Sequence, residues 1–262
     1  MEHKLCYSLC IEMMFPDLPF DERIEASVKA GISELEIWHW SRHDLNKLSD
    51  QLDAHDASLM MMNIACSFNK DIDEQLWSGG ITSVDSDQAI MECLDNSLEV
   101  CNRFGVKRMV LLPGNQRPDM TREAQLERLK KLLEQMSPVA EKQGVTFLLE
   151  PLNTYSRPNV ILSKAKQGFQ ILEELDKPNV KLLYDLFHQQ MMEGDLIHTI
   201  RKHIDRIGHV HISDAPDRLP PGQGEINCVS ILKLLQQLEY TGYAGMEYIS
   251  PTNTVATLGF MI

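Results

Sequence analysis

Four residues in this sequence carry groups suited to acid–base or metal chemistry, and their spacing is regular. Glu150 ends the apolar run "VTFLLE", Asp185 ends "VKLLYD", His211 stands near the end of "GHVHIS", and Glu247 lies in "YAGMEYI". The intervals between them are 35, 26 and 36 residues, each close to one strand-plus-helix unit. Each residue alone has an ordinary reading. Glu150 would be a salt-bridged rim acid, Asp185 a helix cap, His211 a hydrogen-bonded core histidine and Glu247 a solvent-facing acid. Together they bring three carboxylates and an imidazole to one end of successive strands. Carboxylates at close range resist ionisation, and burial adds to that cost. A divalent cation removes the objection by becoming the largest local charge. Three oxygen donors and one imidazole suit Mg²⁺ or Mn²⁺, with Co²⁺ a further candidate, whereas a structural zinc site would show cysteines.

The elements that must position these groups alternate along the chain. Apolar strand-like runs fall at 5–10, 35–38, 58–64, 107–113, 145–150, 180–185, 207–213 and 243–249. Helical periodicity lies between them. One pattern carries Phe20, Ile24 and Val28; a second carries Leu45, Leu48 and Leu52; others span about 87–104, 121–142, 163–175 and 194–203. Asn227 is a plausible N-cap for "CVSILKLLQQL". The Asp-, Ser- and Gly-rich stretch at about 66–85 reads as a long loop that could lid a site, and the tail after Pro251 could form a short eighth helix. Runs that are apolar without alternation imply strands buried on both faces, hence a parallel sheet with right-handed crossovers. Eight such units, with no GxGxxG after the first strand and no linker, predict an α/β fold: one (β/α)8 barrel domain over residues 1–262. The C-terminal strand ends, where the four groups fall, form the site face of such a barrel.

Bulk properties narrow the function. The chain of 262 residues is 43% hydrophobic, with a formal net charge of −13. That charge repels phosphate backbones, so nucleic acid is not an expected partner. No run of 18 apolar residues and no leader-like N-terminus is found, so a cytoplasmic protein without membrane association is expected. The six scattered cysteines fit reduced thiols.

The segments "LLEPLN", "YDLFHQQ", "GHVHISDAPDRLPPGQGEIN" and "GYAGMEYISP" resemble the hydroxypyruvate isomerase family of the xylose isomerase-like TIM barrels. "LEIWHWSRHDLNKL" is similar to that family's second strand and loop. The resemblance implies that Glu150, Asp185, His211 and Glu247 hold a divalent metal. It also implies that Glu150 and Glu247 act as the catalytic pair across a small carbohydrate or hydroxy-oxo acid substrate, such as hydroxypyruvate or a 2-oxo-tetronate. His188 matches a histidine that contacts a substrate oxygen. Arg218 matches an arginine directed at the substrate, where it would suit a carboxylate; its alternative is a surface pairing with Asp214 or Asp217. Trp38 at the second-strand rim would wall the pocket, with Glu36, His39, Trp40 and Asn63 as weaker rim candidates. Relatives of this kind form homo-oligomers, which extends here by analogy alone. One departure stands out: hydroxypyruvate isomerases often carry Gln where this chain has His211, as the ketose 3-epimerases do not. A ketose 3-epimerase and a sugar or cyclitol dehydratase are therefore the alternatives.

Overall fold

Eight short parallel strands close on one another in chain order: β1 (Cys6–Cys10), β2 (Glu34–Glu36), β3 (Ser58–Asn63), β4 (Arg108–Leu111), β5 (Thr146–Leu149), β6 (Val180–Asp185), β7 (Ile207–Ile212) and β8 (Tyr243–Met246). The ring is completed where β1 pairs with β8, Leu9 opposite Met246. The structure is a computed structural model, and it describes residues 3–251 and 253–261. The expected span of 1–262 thus includes residues 1, 2, 252 and 262, which lie outside the described residues. The fold is a single-domain (β/α)8 barrel, as expected. No helix among the described residues is long and apolar enough to cross a membrane.

Side-chain alternation along the strands decides what faces the interior. On β4 and β5, Met109, Leu111, Phe147 and Leu149 pack outward with the helices, while Val110 and Leu148 join Met61 and Leu183 inside the barrel. The same alternation turns His209 and His211 of β7 inward, between the outward Val210 and Ile212. It does the same for Asp185 beside Tyr184, and for Gly245 and Glu247 around Met246. Register then sets the layers: Asp185 lies opposite His211, and His211 opposite Gly245.

The surrounding helices are α1 (Phe20–Lys29), α2 (Leu45–Ala54), α3 (Lys70–Gly79), α4 (Asp87–Phe104), α5 (Arg122–Lys142), α6 (Ala165–Leu175), α7 (Leu186–Met192), α8 (Leu196–His203) and α9 (Cys228–Gln237). Their ends follow local chemistry. Gly105 takes the left-handed conformation, φ +71°, that stops α4. Asn227 caps α9 by accepting from the Ser230 N–H at 3.0 Å, as expected.

Two expectations require correction, and one helix, α7, stands where none was expected. The stretch 66–85 is not a plain loop: it holds α3, capped by the Asn69 side chain, and a 3₁₀ turn at Ile81–Ser83. Its polar composition hid an amphipathic pattern in which Ile72 and Leu76 pack inward. Helix α7 starts directly after β6, because the Asp185 carboxylate accepts the His188 N–H at 3.0 Å and caps it. The tail forms only a 3₁₀ turn, Thr254–Thr257.

Candidate active site

The four spaced residues converge at the C-terminal mouth of the barrel. His211 Nδ1 lies 2.7 Å from Glu247 Oε2, and 3.8 Å from both Glu150 Oε1 and Asp185 Oδ2. One ligand atom from each of the four residues lies within 4.8 Å of the others, and all four side chains are buried. His211 Nδ1 makes no hydrogen bond, although it is surrounded by acceptors. An orphaned imidazole nitrogen aimed among three carboxylates is a donor set that fits a divalent metal ion.

The electrostatics within the cluster are uneven. Burial raises Asp185 above the usual carboxylate range, and this outweighs the nearby Arg218 and His211. Burial opposes Glu247 as well. There the charges of Arg218 and His211, with the Trp38 N–H, win and hold the carboxyl well below its usual range. Burial disfavours the His211 cation, but Glu247 and Glu150 more than offset it, and the imidazole is raised well above its ordinary value.

Arg218 is neither a surface residue nor paired with Asp214 or Asp217. Its Nη2 donates to Asp185 Oδ2 at 2.8 Å and to Glu247 Oε2, and its Nε donates to the Glu247 carbonyl at 3.1 Å. Phe187 lies beneath the guanidinium, 5.4 Å from its ring centre. Arg218 sits on a loop gathered by Asp214, whose buried carboxylate accepts the backbone N–H groups of Ala215, Gly222, Gly224 and Ile226. Asp214 was not singled out by its chemistry in the sequence. The glycines of "PPGQGE" are the trace of it, since a Cβ at Gly224 would lie 2.5 Å from Asp214 Oδ1.

His188 also faces the cavity. Its Nδ1 accepts the Asn153 N–H at 3.0 Å, and its Nε2 lies 3.1 Å from Arg218 Nη1. Burial, reinforced by Arg218, brings its pKa down to about 3, so the ring is neutral. Trp38 donates from Nε1 to Glu247 Oε1 at 2.6 Å and lies against Trp77, ring centres 5.5 Å apart. Asn63 lines the cavity, while Trp40 is core, its Nε1 3.3 Å from Ser97 Oγ. His39 stands edge-on behind Trp77 at 4.5 Å. Glu36 lies one layer below the rim, against His209 and His211.

The cavity above the cluster has a volume of about 220 Å³. Sequence reading missed two of its walls. Trp77 comes from α3, inside the stretch read as loop. Arg157 comes from the segment after β5; its guanidinium lies 5.7 Å from the Trp77 ring centre and donates to the Ser78 carbonyl at 3.3 Å. A tryptophan within an otherwise polar stretch was the one available signal.

An eight-stranded parallel barrel with carboxylates and an imidazole gathered at its C-terminal mouth has the architecture of a TIM-barrel enzyme. The chain matches the family described as "Xylose isomerase-like TIM barrel" over residues 24–261 and belongs to it. It is 26% identical to hydroxypyruvate isomerase of Escherichia coli over 98% of each chain. It is 29% identical to 2-oxo-tetronate isomerase of Haemophilus influenzae over 95% of each. A crystal structure titled AP endonuclease, family 2, from Brucella melitensis superposes with a TM-score of 0.88 at 24% identity. It covers 98% of this chain and 97% of that one, a likeness of fold. Family and relatives together make the chain an isomerase, which takes a small-molecule substrate.

Proposed function

We propose that this isomerase interconverts a short hydroxy-oxo acid, such as hydroxypyruvate or a 2-oxo-tetronate, with the isomer in which the carbonyl and the adjacent hydroxyl have exchanged carbons, by proton transfer through an enediolate. The observation that carries this reading is the pair Glu150 and Glu247 at one cavity, with His211 and Asp185 beside them. One carboxylate of the pair removes the proton from the carbon next to the carbonyl, and the other returns a proton to the neighbouring carbon. Glu247 is ionised at neutral pH and oriented by the Trp38 N–H. His188, held by Asn153 and Arg218, contacts a substrate oxygen. A divalent cation, Mg²⁺ or Mn²⁺, held by Glu150, Asp185, His211 and Glu247, would supply charge stabilisation to the enediolate oxygens.

Two guanidinium groups line the cavity, Arg218 and Arg157, and a cationic wall suits a carboxylate substrate. Arg218 already binds Asp185 and Glu247, whereas Arg157 pairs with no carboxylate among the described residues. A second reading, ketose 3-epimerase, is favoured by His211 itself, where hydroxypyruvate isomerases often carry Gln. Proton NMR in D₂O with Mg²⁺ or Mn²⁺ separates the two. Deuterium entering hydroxypyruvate, with tartronate semialdehyde formed, is the expected result. Exchange at carbon 3 of fructose or tagatose, with none in the acid, would overturn it in favour of the epimerase.

A further inference from the structure

Beneath the four-residue cluster lies a second polar layer that the proposed chemistry does not use. Glu36 reaches inward from the end of β2 and is fully buried. Its Oε2 lies 3.1 Å from His211 Nε2, the ring nitrogen that faces away from the three carboxylates. Its Oε1 accepts from Ser8 Oγ and lies 3.0 Å from His209 Nε2. The His209 ring stands edge-on to that of His211, 4.9 Å between centres at 84°. Gly245 leaves the room for this. A Cβ there would fall 2.4 Å from Glu36 Oε1, 2.5 Å from His209 Nε2 and 3.1 Å from His211 Cδ2.

We propose that Glu36 is the positioning residue for the metal-binding face of His211. A carboxylate only accepts, so the ring nitrogen facing it must carry the proton. With Nε2–H directed to Glu36, the nitrogen left to give up its proton and take a cation is Nδ1, which sits among Glu150, Asp185 and Glu247. The reversed tautomer would point an N–H at the carboxylates and close the imidazole to a cation. Ser8 and His209 in turn hold Glu36, so the ring's rotation is fixed from behind by groups on β1, β2 and β7. Outer partners of this kind characteristically orient ligating histidines. The role rests on the metal site proposed above.

The experiment is Mn²⁺ binding to the full chain, followed by the electron-paramagnetic-resonance signal of free Mn²⁺. Glu36→Leu, which removes the acceptor and keeps the bulk, is expected to weaken binding by about 10–100-fold. Glu36→Gln keeps an acceptor oxygen and is expected to recover most of that loss. Nitrogen-15 NMR of the histidines in the Mg²⁺-loaded wild type gives a readout free of any mutation, and His211 is expected to be protonated at Nε2. Equal Mn²⁺ affinity in wild type and Glu36→Leu would overturn the positioning role alone. So would an unprotonated His211 Nε2, or two ions per chain, which would make Glu36 and His209 ligands. A wild type that binds no Mn²⁺ would overturn the metal-site reading and this role with it.

Discussion

Asp214→Asn tests how the loop bearing Arg218 is held beside the cluster. Asp214 is fully buried, and its two oxygens divide the work evenly. Oδ1 accepts from Ala215 at 2.9 Å and Ile226 at 2.8 Å, and Oδ2 accepts from Gly222 and Gly224, each at 2.9 Å. Asparagine keeps one oxygen and turns the other position into a donor. Whichever way the amide is turned, two backbone N–H groups lose their acceptor and face a second donor. A hydrogen bond to a charged acceptor contributes about 1.5–3 kcal/mol net, so the closed loop should lose about 3–6 kcal/mol. Opening the loop to water caps that loss, so the stability of the whole chain should fall by about 2–4 kcal/mol. Urea unfolding measures the change, and amide exchange should accelerate at one of the two pairs, Gly222 with Gly224 or Ala215 with Ile226. Arg218 has a positive φ, +56°, that the closed loop imposes, so kcat/KM should fall at the same time. A loss of stability below about 1 kcal/mol with unchanged exchange at all four amides would refute the reasoning.

Gly245→Ala should cost about 1–3 kcal/mol in thermal unfolding, since its Cβ must displace Glu36 and His209, and it should weaken Mn²⁺ binding in parallel. Arg157→Gln should raise KM for an acid substrate by about 10-fold or more with kcat little changed, as expected for lost binding to a carboxylate; steady-state kinetics on hydroxypyruvate checks it. Stability should fall on the alkaline side. Burial pushes Cys101, Cys228 and Tyr248 up to about 12, so the unfolded chain releases these protons first. Their contribution is complete below the unfolded pKa values and is lost as pH rises toward about 12, at about 1.4 kcal/mol per pH unit for each group. Thermal midpoints measured between pH 8 and 10.5 under reducing conditions should fall, and a flat profile would contradict this.

The sequence made the barrel legible because its strands are apolar without alternation and its interval lengths repeat. The four mouth residues were legible for the same reason: Glu150, Asp185, His211 and Glu247 interrupt apolar runs at the same relative position. What escaped was whatever depends on cross-barrel distance. Trp77 sits in a polar helix, and only the fold shows that it faces Trp38. Arg157 follows β5 and joins the cavity by lying over Trp77. Glu36 reads from sequence as a rim acid, because the inward turn of β2 that lowers it by a layer leaves no mark on a run of three residues. Asp214 and Arg218 stand four residues apart, so a local ion pair is the natural reading. The backbone N–H groups that occupy Asp214 are visible only once the loop is closed.

Closure of the barrel is therefore part of the chemistry as well as of the fold. Glu247 follows β8, yet its carboxylate accepts the N–H of Trp38, which follows β2 and is 209 residues away in sequence. Those two strands are brought near each other only because β1 pairs with both. In an open sheet of the same strands, β1 and β8 would be opposite edges, and the Trp38 donor would be lost to Glu247. Glu36 on β2 would likewise lose His211 on β7, a contact made across the interior. The Trp38 hydrogen bond to Glu247 and the fixed ring of His211 then have a common origin. Each depends on groups from the first quarter of the chain meeting groups from the last, which the β1–β8 pairing alone makes possible. Weakening that seam should therefore take the Trp38 N–H away from Glu247 and free the His211 ring, even with every residue of the cluster left in place.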